Sequence, residues 1–149
     1  MPGILVGIDG SEHSHHALEW AAHEAALRHT PLTVITVHQA VANYWTGSPV
    51  AYPGDPDLAK KALQVAQDET DSVLKQADEA SRPSSVTVKV SPGLPAEELL
   101  RAAEGTGTDM MVVGSRGAGG FKRLLLGSVS SHIAHHAHCP AVVIPTDNA

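Results

Sequence analysis

The stretch VVGSRGAGGFKRLLLGSVSSH, Val112–His132, joins an apolar run to a helical pattern through a glycine-rich loop. Four glycines fall within seven residues after the two valines, and Gly127 and Ser128 open the next helix. Glycines let a ligand touch the backbone, and the free N–H groups and dipole of a helix's first turn favour an anion. The stretch therefore predicts a phosphate-binding loop that follows a buried strand.

On both sides of this stretch, apolar β-rich runs alternate with helical patterns. Strands that alternate with helices predict an α/β fold, in which one open parallel sheet carries helices on both faces. Four of the five runs are mainly apolar, as expected for strands covered on both sides. The predicted strands are Ile4–Ile8, Leu32–His38, Val86–Val90, Asp109–Val113 and Ala141–Ile144, and the predicted helices run from Ser11 or Ser14 to His29, over Asp55–Ala80, over Leu94–Glu104 and from Gly127 onwards.

Local sequence adds further expectations about these elements. Pro31 is expected to end the first helix, and SEHSHH, Ser11–His16, to be its exposed start. The segment Gln39–Gly54 holds two prolines and most of the aromatic residues, and we expect a long surface excursion there. The second helix is expected to bury one stripe, made of Leu58, Ala62, Val65, Glu69, Val73 and Ala77.

Composition limits the class of protein. A chain of 149 residues fits one domain, residues 1–149, which buries about 68–70% of its unfolded surface. The single cysteine excludes an intramolecular disulfide and fits a reducing compartment. No apolar run approaches the roughly 20 residues of a membrane span, and a net charge of −6 disfavours binding to nucleic acid. We expect a cytoplasmic protein that binds neither membrane nor nucleic acid.

Two predicted strand ends carry residues suited to a site. The first strand runs into Asp9 and Ser11, and the fourth into Gly114–Gly117. Ligands of open parallel sheets bind beyond the carboxyl ends of the strands, where the strand order reverses. The positions of these motifs favour the order 3-2-1-4-5, which makes the two ends neighbours. The chain contains neither a Walker A loop nor the dinucleotide fingerprint.

Gly114, Gly117, Gly127 and Ser128 fit the pattern G-x2-G-x9-G-[ST]. This pattern resembles the nucleotide-binding signature of the universal stress protein family. VVGSRG, LLLGSVSSHIAHHAHCPAVVIP, the strand that leads into Asp9 and the order of elements are also similar to that family, over essentially the whole chain. The resemblance implies a Rossmann-like sheet of the adenine nucleotide α-hydrolase type. It also implies a homodimer paired through the C-terminal strand, Ala141–Pro145.

The resemblance further implies that ATP, with Mg²⁺, lies across the ends of the first and fourth strands. Asp9 would sit near the nucleotide or its Mg²⁺. Gln39 stands where the family usually offers an apolar residue to adenine, so AMP or cyclic AMP stays open as the ligand. The implied nucleotide-binding residues are Gly7, Ile8, Asp9, Gln39, Val113, Gly114, Arg116, Gly117, Gly127, Ser128, Val129 and Ser130.

Simpler roles exist for several of these residues. Asp9 has the chemistry of a helix cap or an Asx-turn, and Ser128 that of a cap, which is compatible with phosphate binding. Arg116, Lys122 and Arg123 would either neutralise phosphate charge or belong to a solvated loop.

The histidine-rich segment HIAHHAHC does not predict a structural zinc site. His132 and His136 lie one helical turn apart, but no carboxylate with ligand spacing accompanies them. Cys139 is expected to be a packed thiol. No residue is predicted to be catalytic, so we expect a nucleotide-dependent regulator or sensor with little or no turnover. The alternatives are a nucleotide-independent dimeric interaction module, and a slow ATPase or phosphotransferase.

Overall fold

The computed structural model of the chain describes residues 3–39, 41–42, 49–50, 56–115 and 127–145. Its main sheet has five parallel strands in the order β3-β2-β1-β4-β5, which confirms the predicted order 3-2-1-4-5. The strands are β1 (Ile4–Ile8), β2 (Leu32–Gln39), β3 (Val86–Gly93), β4 (Met110–Gly114) and β5 (Ala141–Ile144). The helices are α1 (Glu12–Arg28), α2 (Pro56–Lys75), α3 (Pro95–Thr106) and α4 (Ser128–His136).

The two faces of the sheet each carry one apolar layer, because successive strand side chains point to opposite faces. On one face, β-strand residues such as Val6 and Val112 pack against small residues of α1 and α2. On the other face, Leu5 and Met111 pack against α3 and α4. β1 is buried along its whole length, whereas the apolar residues of the edge strand β5 are only half-buried.

Helix α1 ends before the proline that was expected to end it. The helix stops at Arg28, and His29 adopts the left-handed conformation with a φ of 54°. The amides of His29 and Thr30 donate to the carbonyls of Ala26 and Ala25. This is the Schellman pattern, which satisfies the last carbonyls of a helix. The turn therefore ends the helix, and Pro31 only follows it.

Helix α2 is shorter than predicted. It ends at Lys75 instead of Ala80, and a separate 3₁₀ turn follows at Glu79–Ser81. The amide of Gln76 donates to the carbonyl of Val73, three residues back, at 3.3 Å. A bond of this kind tightens the last turn and leaves no α-helical register to continue.

The remaining boundaries differ from the predictions by a few residues. β2 and β3 pair to their ends, where Gln39 lies opposite Gly93, so β3 continues three residues beyond Val90. Within the expected excursion, Val41–Ala42 pairs with Pro49–Val50 as a short antiparallel ladder, and the predicted helix start at Asp55 lies outside the described residues. No helix in the described part of the chain is long and apolar enough to cross a membrane.

Candidate functional site: the carboxyl ends of β1 and β4

The candidate site lies where the strand order of the sheet reverses. β1 pairs in parallel with β4 on one side and with β2 on the other, so successive strands are added outwards from β1 in opposite directions. The carboxyl ends of β1 and β4 consequently lie side by side at one edge of the sheet. Crevices of this kind are where open α/β sheets bind their ligands. The two motif-bearing ends are neighbours, as the sequence predicted.

The start of α4 is fastened to the end of β4 by Ser115. The Ser115 carbonyl accepts a hydrogen bond from the Gly127 amide at 2.6 Å and a second from the Ser130 hydroxyl at 3.0 Å. The Ser130 hydroxyl also donates to the Gly127 carbonyl at 3.2 Å. Both serines are buried, so these bonds are sheltered from water. The first turn of α4 is therefore held at the crevice.

Two polar groups of the predicted nucleotide-binding residues have partners within the protein. The Gly127 amide and the Ser130 hydroxyl already bond within the protein, so they serve to position the helix. In any α-helix the first amides have no acceptor within the helix. The amides of Ser128, Val129 and Ser130 occupy that place in α4, and the Ser128 side chain is exposed.

The two helices that follow β1 and β4 differ in charge. α1 has the Ser11 hydroxyl as its cap, at 3.2 Å from the Ser14 amide, and carries the acidic Glu12 in its first turn. α4 begins at Gly127, which supplies no side-chain cap, and has no acidic residue in its first turn. The positive end of a helix dipole attracts anions unless acidic groups already compensate it. Of these two helices, α4 is the one suited to accept a phosphate.

Asp9 lies at the end of β1, where its carboxylate shapes the turn into α1. Asp9 Oδ1 accepts a hydrogen bond from the Ser11 amide at 2.9 Å, which is an Asx-turn. Gly10, between them, has a φ of 82°, a conformation that glycine adopts without strain. The turn-forming role considered for Asp9 is thus present. A carboxylate has further acceptor sites, so the turn is compatible with a position beside a ligand.

The expected exposed start of α1 contains Ser14, which the sequence offered only as a possible helix cap and whose burial sequence reasoning missed. Ser14 is 4% exposed, and its hydroxyl accepts from the Asp9 amide and donates to the Ser11 carbonyl, both at 3.1 Å. One turn of helix thereby fixes the end of β1. His15, the next residue, lies with Nδ1 3.2 Å from Glu69 Oε1 and links α1 to α2. The only sequence signal for Ser14 was its spacing of three residues from the cap at Ser11.

The glycines at the two strand ends provide space. A Cβ on Gly7 would lie 2.6 Å from Leu99 Cδ1, and one on Gly114 would lie 2.8 Å from the carbonyl of His13. Neither glycine has a positive φ, so neither is required for an unusual backbone angle. Gly114 allows the end of β4 to approach the first turn of α1. Two other predicted site residues, Ile8 and Val113, are buried in the two apolar layers.

Other predicted site residues are only partly placed. Gln39 is the last residue of β2, beside β1 on the side away from β4. Arg116 and Gly117, and with them Lys122 and Arg123, lie outside the described residues. Ser115, which joins the described ends of this segment, had no sequence signal as a partner of Ser130, because fifteen residues separate them.

Among the C-terminal histidines, His138 lies beside an acid, with its Nε2 3.4 Å from Glu104 Oε1. In residues 3–39, 56–115 and 127–145, no group of three or more histidine, cysteine, aspartate or glutamate side chains is placed to hold a metal ion. Cys139 is half-buried and packs against the layer of α3 and α4. Burial raises the pKa of the Cys139 thiol; a backbone hydrogen bond from Met111 opposes this and the Asp109 charge adds to it. The packed-thiol expectation for Cys139 is confirmed.

The fold and the site define an α/β protein whose crevice lies at a strand-order reversal, beside the first turn of α4. Residues 2–145 match the profile of the universal stress protein family. The chain belongs to that family.

Known proteins support this assignment at two levels. The chain is 36% identical over 149 residues to the universal stress protein Rv2005c of Mycobacterium tuberculosis, and the match covers 99% of this chain and 49% of the relative. The chain thus spans about half the length of the curated relatives it matches.

Solved structures share the fold at low sequence identity. A universal stress protein in complex with cAMP superposes with a TM-score of 0.68 at 22% identity, covering 97% of this chain and 96% of the other. The Archaeoglobus fulgidus protein in complex with dAMP gives 0.63 at 21%, covering 97% and 98%. An Arabidopsis thaliana family member with AMP bound gives 0.61 at 18%, covering 99% and 94%.

Proposed function

We propose that this chain binds an adenine nucleotide, ATP with Mg²⁺, across the carboxyl ends of β1 and β4. In this proposal it acts as a nucleotide-dependent regulator or sensor in the stress response. The observation that carries the proposal is the first turn of α4, which Ser115 holds at the strand-order reversal and which has no acidic residue of its own. Family members of the same fold are complexed with cAMP, dAMP and AMP, which favours an adenine ligand.

The phosphate donors in this proposal are the amides of Ser128, Val129 and Ser130, with the Ser128 hydroxyl beside them. An anion at a helix start gains about 0.3–1 kcal/mol when exposed and up to ~2 when partly buried. A micromolar ligand needs about 8 kcal/mol. Several donors must therefore act together, and we propose that Arg116 and Gly117 complete the set.

The rest of the nucleotide would lie along β1 and towards β2. We propose that Asp9 sits near the nucleotide or its Mg²⁺, that the backbone of Gly7 and Ile8 lines the crevice, and that Gln39 faces the base. Gly114 and Val113 would contribute backbone only, because Val113 is buried and Gly114 packs on His13. AMP or cyclic AMP is the alternative ligand, and the complexes of the structural relatives favour it.

We propose little or no turnover of the nucleotide. Hydrolysis needs a group that orients or deprotonates the attacking water. The Asp9 carboxylate, at the crevice, is turned towards the Ser11 amide and serves the turn. A regulator that binds the nucleotide without hydrolysing it needs no such catalytic group.

We propose a single domain over residues 1–149, a cytoplasmic location, and a homodimer paired through Ala141–Pro145. The half-buried apolar side chains of the edge strand β5 support the dimer, because an unpaired apolar edge invites another strand.

Two variants of Ser128 that differ mainly in charge test the site. Ser128→Asp places a carboxylate at the first residue of α4, where it favours the helix but repels phosphate. Ser128→Asn has nearly the same size without the charge. In isothermal titration with Mg-ATP, we expect Ser128→Asp to lose at least tenfold in affinity, about 1.4 kcal/mol. Ser128→Asn should stay within about threefold of wild type.

Adenosine, which lacks phosphate, is the ligand control, and Ser128→Asp should leave its weaker binding unchanged. Parallel titrations with AMP and cyclic AMP rank the ligands. Equal affinity of both variants for Mg-ATP would refute phosphate binding at α4. Absence of heat with every adenine nucleotide would favour the nucleotide-independent module. Steady phosphate release that Asp9→Ala abolishes would favour the enzyme.

A further inference from the structure

The exposed face of α4 carries two histidines whose rings lie close together. His132 and His136 are one helical turn apart, and their ring centroids are 4.5 Å apart with the ring planes inclined by 40°. Both side chains are exposed. This pair lies on the same helix as the proposed phosphate donors but further from its first turn, and the proposed function makes no use of it.

The neighbouring histidines are engaged elsewhere. His135 Nδ1 lies 2.8 Å from the Ser131 carbonyl oxygen, and His138 Nε2 lies 3.4 Å from Glu104 Oε1. For His132 and His136, by contrast, neither ring hydrogen-bonds to the part of the chain that the structure describes. The ring nitrogens of this pair are thus open to solvent and to a ligand.

From this placement we propose that His132 and His136 together bind one divalent cation of the borderline class, Ni²⁺, Cu²⁺ or Zn²⁺. Imidazole nitrogen is a preferred ligand of these ions, whereas Mg²⁺ prefers oxygen. Histidines at positions i and i+4 present both rings on one helix face, the spacing used by helical zinc motifs. The remaining coordination positions are filled by water, so the ion exchanges with solvent.

The ring geometry suits two ligands of one ion. At Zn–N distances of about 2.0–2.1 Å, two nitrogens of a tetrahedral centre are about 3.4 Å apart. Rings with centres 4.5 Å apart reach this separation by small side-chain rotations, because exposed side chains rotate freely. The backbone between the two residues is regular helix, so no change of the fold is needed. This site differs from a structural zinc site, which has four protein ligands.

A bound ion would stabilise the last two turns of α4. Because the two ligands lie on consecutive turns, the ion binds the helical form better than the unfolded chain and stabilises the native state by mass action. The site is independent of the nucleotide site and is testable without nucleotide.

The experiment uses the whole 149-residue chain without a histidine tag, free of nucleotide, in a buffer that does not chelate metals. Isothermal titration with NiCl₂ is compared among wild type, His132→Gln, His136→Gln and the control His135→Gln. Glutamine suits exposed helix positions, and far-UV circular dichroism confirms that each variant is folded. We expect each of the first two variants to lose at least tenfold in affinity for one Ni²⁺ per chain. His135→Gln should keep that affinity.

Three outcomes would overturn the proposal. The first is an equal loss in His135→Gln, and the second is unchanged Ni²⁺ binding in His132→Gln or His136→Gln. The third is an affinity that rises with protein concentration, which would indicate an ion shared between chains. Zn²⁺ should raise the melting temperature of wild type and leave that of the double variant H132Q/H136Q unchanged. Mg²⁺ should leave the melting temperatures of both proteins unchanged.

Discussion

At the scale of single residues, two glycines at the strand ends show how close packing positions the site. Gly7 is covered by the Leu99 side chain and Gly114 by the backbone of His13. A side chain such as Leu99 can move aside, but the backbone of α1 cannot move without disturbing the helix. The glycine pattern of the sequence correctly indicated a special strand end. It could not show that packing, in addition to any ligand, requires the glycine at 114.

Substitution of glycine by alanine should therefore have opposite effects at different positions. Gly114→Ala should destabilise the protein by about 1–3 kcal/mol, the usual cost of overpacking, and Gly7→Ala by less. Gly105, inside α3, has nothing within 4 Å of its Cβ position. Gly105→Ala should stabilise by about 0.5–1 kcal/mol, because alanine is the better helix former.

Urea unfolding of the three variants measures these free energies. Gly105→Ala is the matched control, since the chemical change is identical and only the surroundings differ. A Gly114→Ala variant as stable as wild type would show that α1 and β4 separate at no cost.

At the scale of elements, α2 shows where pattern reading fails. The predicted stripe placed Leu58 and Val65 in the core, but these side chains are 45% and 61% exposed. Val73 of the predicted stripe is buried, but its buried companions in α2 are Ala66 and Thr70, which the stripe did not include. The Thr70 hydroxyl donates to the Ala66 carbonyl at 2.7 Å, so a polar residue is buried with its hydrogen bond made. Small residues let the helix approach the sheet. The prediction was wrong for Leu58 and Val65 because it assumed that the larger apolar residues are the buried ones.

The rotated face of α2 predicts which valine matters. Val73→Ala should destabilise the protein by about 1–3 kcal/mol, because it leaves a cavity against the sheet. Val65→Ala, in the same helix and with the same change of side chain, should stay within about 0.5 kcal/mol of wild type. Denaturant unfolding midpoints of the two variants provide the measurement. Equal losses would mean that the helix face is wrongly placed.

Other elements were predictable because their signals are local. β1 and β5 have the predicted bounds, since short apolar runs between turn residues leave few alternatives. The strand order also followed from sequence, because motif residues at two strand ends require those ends to be neighbours. The fastening of α4 to Ser115 did not follow. It depends on a buried serine pair fifteen residues apart, and hydrogen bonds over such a distance leave no periodic pattern.

At the scale of the whole molecule, the open edge of β5 determines what the proposed dimer would require. The carbonyls of Pro140 and Ile144 accept bonds from β4, through the amides of Met111 and Ser115. Backbone groups alternate in direction along a strand. The amide of Val143 therefore points away from β4, towards the open edge. In a two-fold dimer this edge would pair with its copy in the partner.

Proline substitutions at two adjacent positions of β5 distinguish an effect on dimer formation from an effect on the stability of the chain. Val143→Pro removes a donor at the open edge, where proline is tolerated. Val142→Pro removes a donor that points towards β4 and should damage the sheet. By sedimentation velocity we expect wild type to be a dimer and Val143→Pro a monomer, with the circular dichroism of wild type. Val142→Pro should lose stability whatever its oligomeric state. A monomeric wild type would exclude pairing through β5. A Val143→Pro variant that stays dimeric would exclude it as well, because this variant changes only the open edge.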